Sequence, residues 1–141
     1  MTIRLTDKQG GFTLLELLIV LAILALIAGI AAPQLMNVLG SAKTNTAGIQ
    51  IEKLSTALDI YRLDMGRYPD NKIGLGALVE KPQAATTWNG PYVKKADQLL
   101  DPWGNPFYYR HPGQHGPFDL YSFGADGREG GDGEERDVKS W

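Results

Sequence analysis

About twenty residues from Phe12 to Ala32 form an apolar run whose only charge is Glu16. That is the length needed to cross a bilayer as a helix. A carboxylate in hydrocarbon costs about 2.5–3.5 kcal/mol at the centre of such a helix. Glu16 stands near one end of the run, where the cost is lower, but it still seeks a cation. Cleavage between Gly11 and Phe12 would create one, the α-amino group of Phe12. Phe12 and Glu16 are four positions apart, the spacing of neighbours on one helix face. The same pair formed between two chains would set their register. The alternative is an interfacial Glu that stays hydrated.

The flanks separate three readings of the run. A secretory signal has a shorter apolar core followed by its cleavage site; here Gly11 precedes the run. A plain signal anchor fits the length but leaves Glu16 unexplained. The third reading is a leader, residues 1–11, cut on the cytoplasmic side, with residues 12–32 kept as a transmembrane and assembly helix. Arg4 and Lys8 hold the N-terminus in the cytoplasm by the positive-inside rule, which puts everything after Ala32 outside.

Beyond the run, Pro33 is expected to kink or locally break the helix. Helical periodicity then resumes. Ala47, Ile51, Leu54, Leu58, Tyr61 and Met65 make one apolar stripe, and Glu52, Lys53, Asp59 and Arg62 fall off it. A single helix is therefore expected from about Thr13 to Met65, with 33–66 as its continuation, stopped by Gly66 and Pro69. Residues 67–141 form a small domain that needs this helix as one wall of its core. Within it, Gly74–Glu80 reads as a short helix. Phe107–Arg110 and Phe118–Phe123 read as two strands of a hairpin. Trp88, Tyr92, Trp103 and Tyr108, set in Gly/Pro/Asn turn clusters, read as core residues rather than ligand contacts. The fold class is α+β, a long N-terminal helix packed on a small C-terminal antiparallel sheet with a calcium-binding loop.

That loop is read from Asp126–Asp137, rich in carboxylates and glycines. Calcium takes six to eight oxygen ligands from carboxylates and carbonyls, and glycines let a backbone curl so that carbonyls point inward. The run is not an EF-hand, because Arg128 stands at the third position and Asp137 at the twelfth. The expected ligands are Asp126, Asp132, Asp137 and the Phe123 carbonyl, with Glu135 in reserve. The alternative is a solvated acidic loop. The chain has no cysteine, so an ion could close the C-terminus where a disulfide otherwise would.

Composition narrows the function classes. With 14 Lys and Arg against 16 Asp and Glu, there is no basic stripe and no nucleic-acid partner is expected. No serine sits in a nucleophile elbow. His111 and His115 are separated by Pro112 and Gly113, which rules out a helical metal pair. No enzyme is expected.

The start Gly11-Phe12-Thr13-Leu14-Leu15-Glu16 resembles the leader of type IV pilins and pseudopilins. The resemblance implies cleavage after Gly11 by a prepilin peptidase, N-methylation of Phe12, an assembly role for Glu16 paired with Phe12, and a helix bend at Pro33. Asp64–Pro69, Gly74–Leu78, Trp88–Tyr92, Asp101–Pro106 and Asp119–Gly127 look like the major pseudopilin of type II secretion, in the same order along nearly the whole chain. That implies a homopolymer in a helical filament, with minor pseudopilins and an inner-membrane assembly platform as partners and membrane lipid as the surroundings before assembly. It places the chain in the inner membrane as a single-pass protein with its C-terminal domain in the periplasm, and it implies calcium in the final loop. Gly133 and Glu134 depart from the acidic or amide ligands of some relatives. The alternative is a type IV pilin for adhesion, motility or DNA uptake, many of which carry two cysteines that are absent here.

Overall fold

A computed structural model describes residues 11–83 and 85–141. Arg4, Lys8 and leader residues 1–10 lie outside the described residues. One helix, α1 (Leu14–Met65), spans 52 residues and contains Pro33. It runs unbroken through Pro33, as the single expected helix does, and of the two alternatives expected at Pro33 the local break is absent. Pro33 lacks the N–H that would bond the carbonyl of Gly29, one turn earlier. Gly66 follows the last turn with φ 74°, and its N–H donates to the Arg62 carbonyl at 2.8 Å. A residue with a side chain resists that left-handed conformation, so glycine ends the helix here.

The chain divides into two compact units, one ending at Met36 and the other Asn37–Trp141. In the first, the apolar side chains from Leu14 to Met36 are exposed. In the second, α1 supplies one wall of a core. Ile51, Leu54, Leu58 and Tyr61 pack with Leu75, Leu78, Val93, Phe107 and Leu120. Ala47 is buried with them and Met65 packs at the edge. The stripe read from periodicity is the buried face, because residues three and four apart share one side of a helix.

The sheet has three antiparallel strands in the order β1 (Tyr108–Arg110), β2 (Asp119–Ser122), β3 (Val138–Lys139). β1 and β2 are the two expected strands, trimmed at their ends. β3 was not expected. It pairs Tyr121 with Lys139 and Ser122 with Val138. Gly74–Leu78 is a 3-10 helix, so the expected short helix is tighter and ends two residues earlier.

The aromatics divide. Trp88 and Tyr92 pack on the core, as expected. Their polar tips are satisfied: Trp88 Nε1 donates to the Ala77 carbonyl at 2.9 Å, and the Tyr92 hydroxyl donates to Asp64 at 2.7 Å. Tyr108 is a correction. Strand alternation turns Tyr109 inward, where its hydroxyl donates to the Pro69 carbonyl, and leaves Tyr108 outside. There it stacks on its cross-strand partner Tyr121, centroids 5.3 Å apart. Trp103 is also outside the core cluster, half-buried beside Glu134.

Candidate functional site

The first candidate site is the start of α1. Thr13 is the residue before the helix. Its N–H and its hydroxyl both donate to Glu16 Oε2, at 3.0 and 3.1 Å, and the Glu16 N–H donates back to the Thr13 hydroxyl at 3.2 Å. This reciprocal pair is a capping box, and it holds two donors that a helix start otherwise leaves open. The carboxylate that reads as costly in an apolar run therefore has local partners. Phe12, immediately before, is 91 % exposed. The helix that follows is long and apolar enough to cross a membrane. The role of Thr13 was missed, although Thr13-Leu14-Leu15-Glu16 carries the S/T-x-x-E spacing that signals such a cap.

The second is the C-terminal loop between β2 and β3. Gly124, Gly127, Gly130, Gly131 and Gly133 all have positive φ. At Gly124 the requirement is double, because a Cβ would also meet the main chain of Glu134–Arg136. The Ala125 N–H donates to the Glu134 carbonyl at 2.8 Å, which closes the loop on itself. Asp126 accepts from the Arg128 N–H at 3.0 Å. Asp132 precedes a 3-10 turn, Gly133–Glu135, and its carbonyl accepts from the Glu135 N–H. Asp137 accepts from the Gly130 N–H at 3.0 Å and pairs with Lys139 at 3.1 Å. The ring of Phe123 packs against Tyr108 and Tyr121.

Among the described residues, no three acidic or imidazole side chains converge on a point that could hold a metal. Asp126, Asp132 and Asp137 thus share the loop without forming a three-carboxylate cluster. A cation held here needs main-chain oxygens as well. Carboxylates and carbonyls are the donor types that a hard cation takes.

The loop is tied down by residues that sequence reasoning did not single out. Asp101 is buried. It accepts from the N–H groups of Trp103 and Asn105 at 3.0 and 2.8 Å, and from the Ser122 hydroxyl at 2.6 Å. The Ser122 hydroxyl accepts from the Gly124 N–H at 3.1 Å. This network joins the Asp101–Pro106 turn to the end of β2 and the start of the loop. At the other end of the loop, the Thr44 hydroxyl lies 3.5 Å from the Gly133 carbonyl, and Trp103 Nε1 lies 3.5 Å from Glu134. Gly40 is where α1 admits this contact, since the Glu134 side chain occupies the place of a Cβ.

His111 and His115 do not approach a common ligand position. His111 Nδ1 bonds the Pro117 carbonyl at 2.9 Å, and His115 stacks on Trp141 with centroids 4.1 Å apart. Asp119 is buried, which raises its pKa, but the N–H groups of Gln114 and His115 and the His115 ring outweigh this and hold it below the usual carboxylate range.

Residues 34–141 match the family described as Type II secretion system (T2SS), protein G, and residues 6–32 match the prokaryotic N-terminal methylation motif. The chain belongs to the core protein G family of type II secretion, the major pseudopilins. Type II secretion system core protein G of Pseudomonas aeruginosa is 45 % identical over 138 residues, covering 95 % of this chain and 96 % of the relative. The Escherichia coli protein of the same description is 41 % identical, covering 98 % and 94 %. The crystal structure of the major pseudopilin from the type 2 secretion system of enterohaemorrhagic Escherichia coli matches with a TM-score of 0.61 at 33 % identity, over 77 % of this chain and 95 % of that one. This pseudopilin is a structural protein, not an enzyme, and its family implies prepilin processing and filament assembly. Its apolar N-terminal helix is consistent with a single inner-membrane anchor before assembly.

Proposed function

We propose that this pseudopilin is the repeating subunit of a periplasmic pseudopilus whose growth from the inner membrane drives folded proteins across the outer membrane. The observation that carries the reading is the exposed apolar length of α1, headed by one carboxylate. Such a surface suits lipid first and other helices afterwards. Processing removes residues 1–11 by cleavage between Gly11 and Phe12, and Phe12 is then N-methylated. The new amine pairs with Glu16 of its own or a neighbouring subunit, which offsets part of the loss of water. Residues 12–32 serve as the membrane and assembly helix, 33–66 as its continuation with a bend at Pro33, and 67–141 as the periplasmic domain. Prepilin peptidase, minor pseudopilins and the inner-membrane platform act on or with the subunit.

The loop from Phe123 to Asp137 takes calcium through Asp126, Asp132, Asp137 and the Phe123 carbonyl, with Glu135 as an additional donor. The hard-oxygen donor set and the glycine curl support this. Calcium there would clamp β3 to the rest of the domain.

Deletion of the subunit tests the reading. Proteins normally secreted should accumulate in the periplasm while any surface pilus is unaffected. Intact secretion after deletion would overturn it.

A further inference from the structure

The outer face of the sheet carries a cavity of about 300 Å³, at the small end of the range for ligand pockets. Strand alternation turns Tyr109 inward and Arg110 to this outer face. The register sets Tyr121 beside Lys139 on the same side. Tyr121, Phe123 and Trp141 form aromatic walls. Phe123 and Trp141 each meet Tyr121 edge to face, with centroids 5.1 and 5.9 Å away. Trp141 stays 47 % exposed although His115 stacks on it.

The rim is polar and is drawn from separate elements: Arg110 from β1, Gln114 from the β1–β2 loop and Glu129 from the β2–β3 loop. Part of it is set in advance. Asp119 accepts from the Gln114 N–H at 2.8 Å and from the His115 N–H at 3.1 Å, which holds the β1–β2 loop at the cavity. The Lys139 ammonium is already paired, with Asp137 at 3.1 Å. Arg110 and Glu129 have no ion-pair partner among the described residues, and they do not pair with each other. A guanidinium only donates and a carboxylate only accepts. An occupant that meets both therefore offers acceptors and donors together.

We propose that this cavity binds a ring of an uncharged saccharide. A pyranose carries hydroxyls around its perimeter, and each hydroxyl both donates and accepts. Its C–H bonds form an apolar face whose partly positive hydrogens suit the negative face of an aromatic ring. The charge balance of the lining disfavours simpler ligands. An anion drawn to Arg110 meets Asp119 and Glu129, and a cation drawn to Glu129 meets Arg110 and Lys139. A free amino acid carries both its charges on one carbon, whereas Arg110 and Glu129 stand too far apart to pair. No residue of α1 lines the cavity, so a saccharide held there leaves the helix free for assembly.

The test uses the full-length chain in an amine-oxide detergent, which has no sugar headgroup, with chitotetraose and cellotetraose as separate probes. Saturation-transfer NMR reads the protons of the sugar itself. Saturation should pass to the ring C–H protons of at least one probe and should titrate to a plateau. Arg110→Ala should lower the apparent affinity about tenfold, the effect of losing a hydrogen bond to a charged group. Trp141→Ala should lower it as well. Arg110 is exposed, so its replacement should leave the melting temperature unchanged and decides the matter even where Trp141→Ala weakens the fold. Saturation of neither sugar overturns the site, and so does an affinity that Arg110→Ala leaves unchanged. Saturation of free phenylalanine but of neither sugar overturns it in favour of a zwitterionic ligand.

Discussion

Thr13 and Glu16 cap each other across the first turn of α1, with both donors of Thr13 meeting Glu16 Oε2. The pair gives Glu16 two separable tasks. As an acceptor it closes the helix start, and as an anion it is available to the amine that cleavage after Gly11 would create.

Glu16→Gln separates these tasks. The amide oxygen still accepts from Thr13, so the helix start and membrane insertion should persist, while the charge needed by the Phe12 amine is gone. Filament assembly should fail with the subunit retained in the membrane fraction. Glu16→Ala should behave in the same way, with the cap lost as well. Thr13→Val removes the hydroxyl but leaves the charge, at a cost of about 1 kcal/mol for a lost cap, and should reduce assembly only in part. Sheared filament yield beside membrane fractionation reads all three, and normal filaments from Glu16→Gln would show that charge is not required.

Calcium should raise the melting temperature of the domain from about Ala32 onward. A ligand at a hundred times its Kd stabilises the native state by about 2.7 kcal/mol. For a domain of this size that is a shift on the order of 10 °C. Chelator should remove the shift, and Asp126→Ala should abolish the response to added calcium. Coincident melting curves with and without calcium would count against the site.

The helix wall of the core was legible because burial on a helix repeats with its own period, as Ile51, Leu54, Leu58 and Tyr61 show. What escaped was non-local. β3 is two residues long and its pairing with β2 joins segments far apart in sequence, so no run of alternating side chains announces it. Asp101 reads as a turn residue, and only the folded chain brings it to Ser122. Tyr108 reads as core by its size, but the strand register decides which of Tyr108 and Tyr109 faces inward. At the loop, composition gives the carboxylates and glycines but not where the carboxylates lie relative to one another, because a glycine-rich backbone has many curls available.

Two loop glycines should differ in how much they tolerate a side chain. Gly127 has φ 65° with open space around a Cβ, so Gly127→Ala meets only the backbone penalty, about 1 kcal/mol. Gly124 has φ 70°, and its Cβ would meet the main chain of Glu134–Arg136. Gly124→Ala should therefore cost more, by roughly a further 1–3 kcal/mol for overpacking. Urea unfolding of the two variants at matched calcium gives the difference. Equal losses would mean that the close approach of the two loop ends carries no energy.

Asp119 makes stability depend on acid. Despite its burial, donors from Gln114 and His115 hold its pKa below the usual carboxylate range. The unfolded chain therefore takes up this proton at a higher pH than the folded one. The stabilisation is present above the unfolded value of about 3.9 and is lost as pH falls through the lower folded value. The domain should weaken below about pH 4, and Asp119→Asn should flatten that limb while lowering stability at neutral pH. His115→Ala should weaken the acid dependence less than Asp119→Asn, because the main-chain donors remain. Chemical denaturation between pH 2 and pH 7 compares the three chains, and an unchanged acid limb in Asp119→Asn would assign the dependence to other carboxylates.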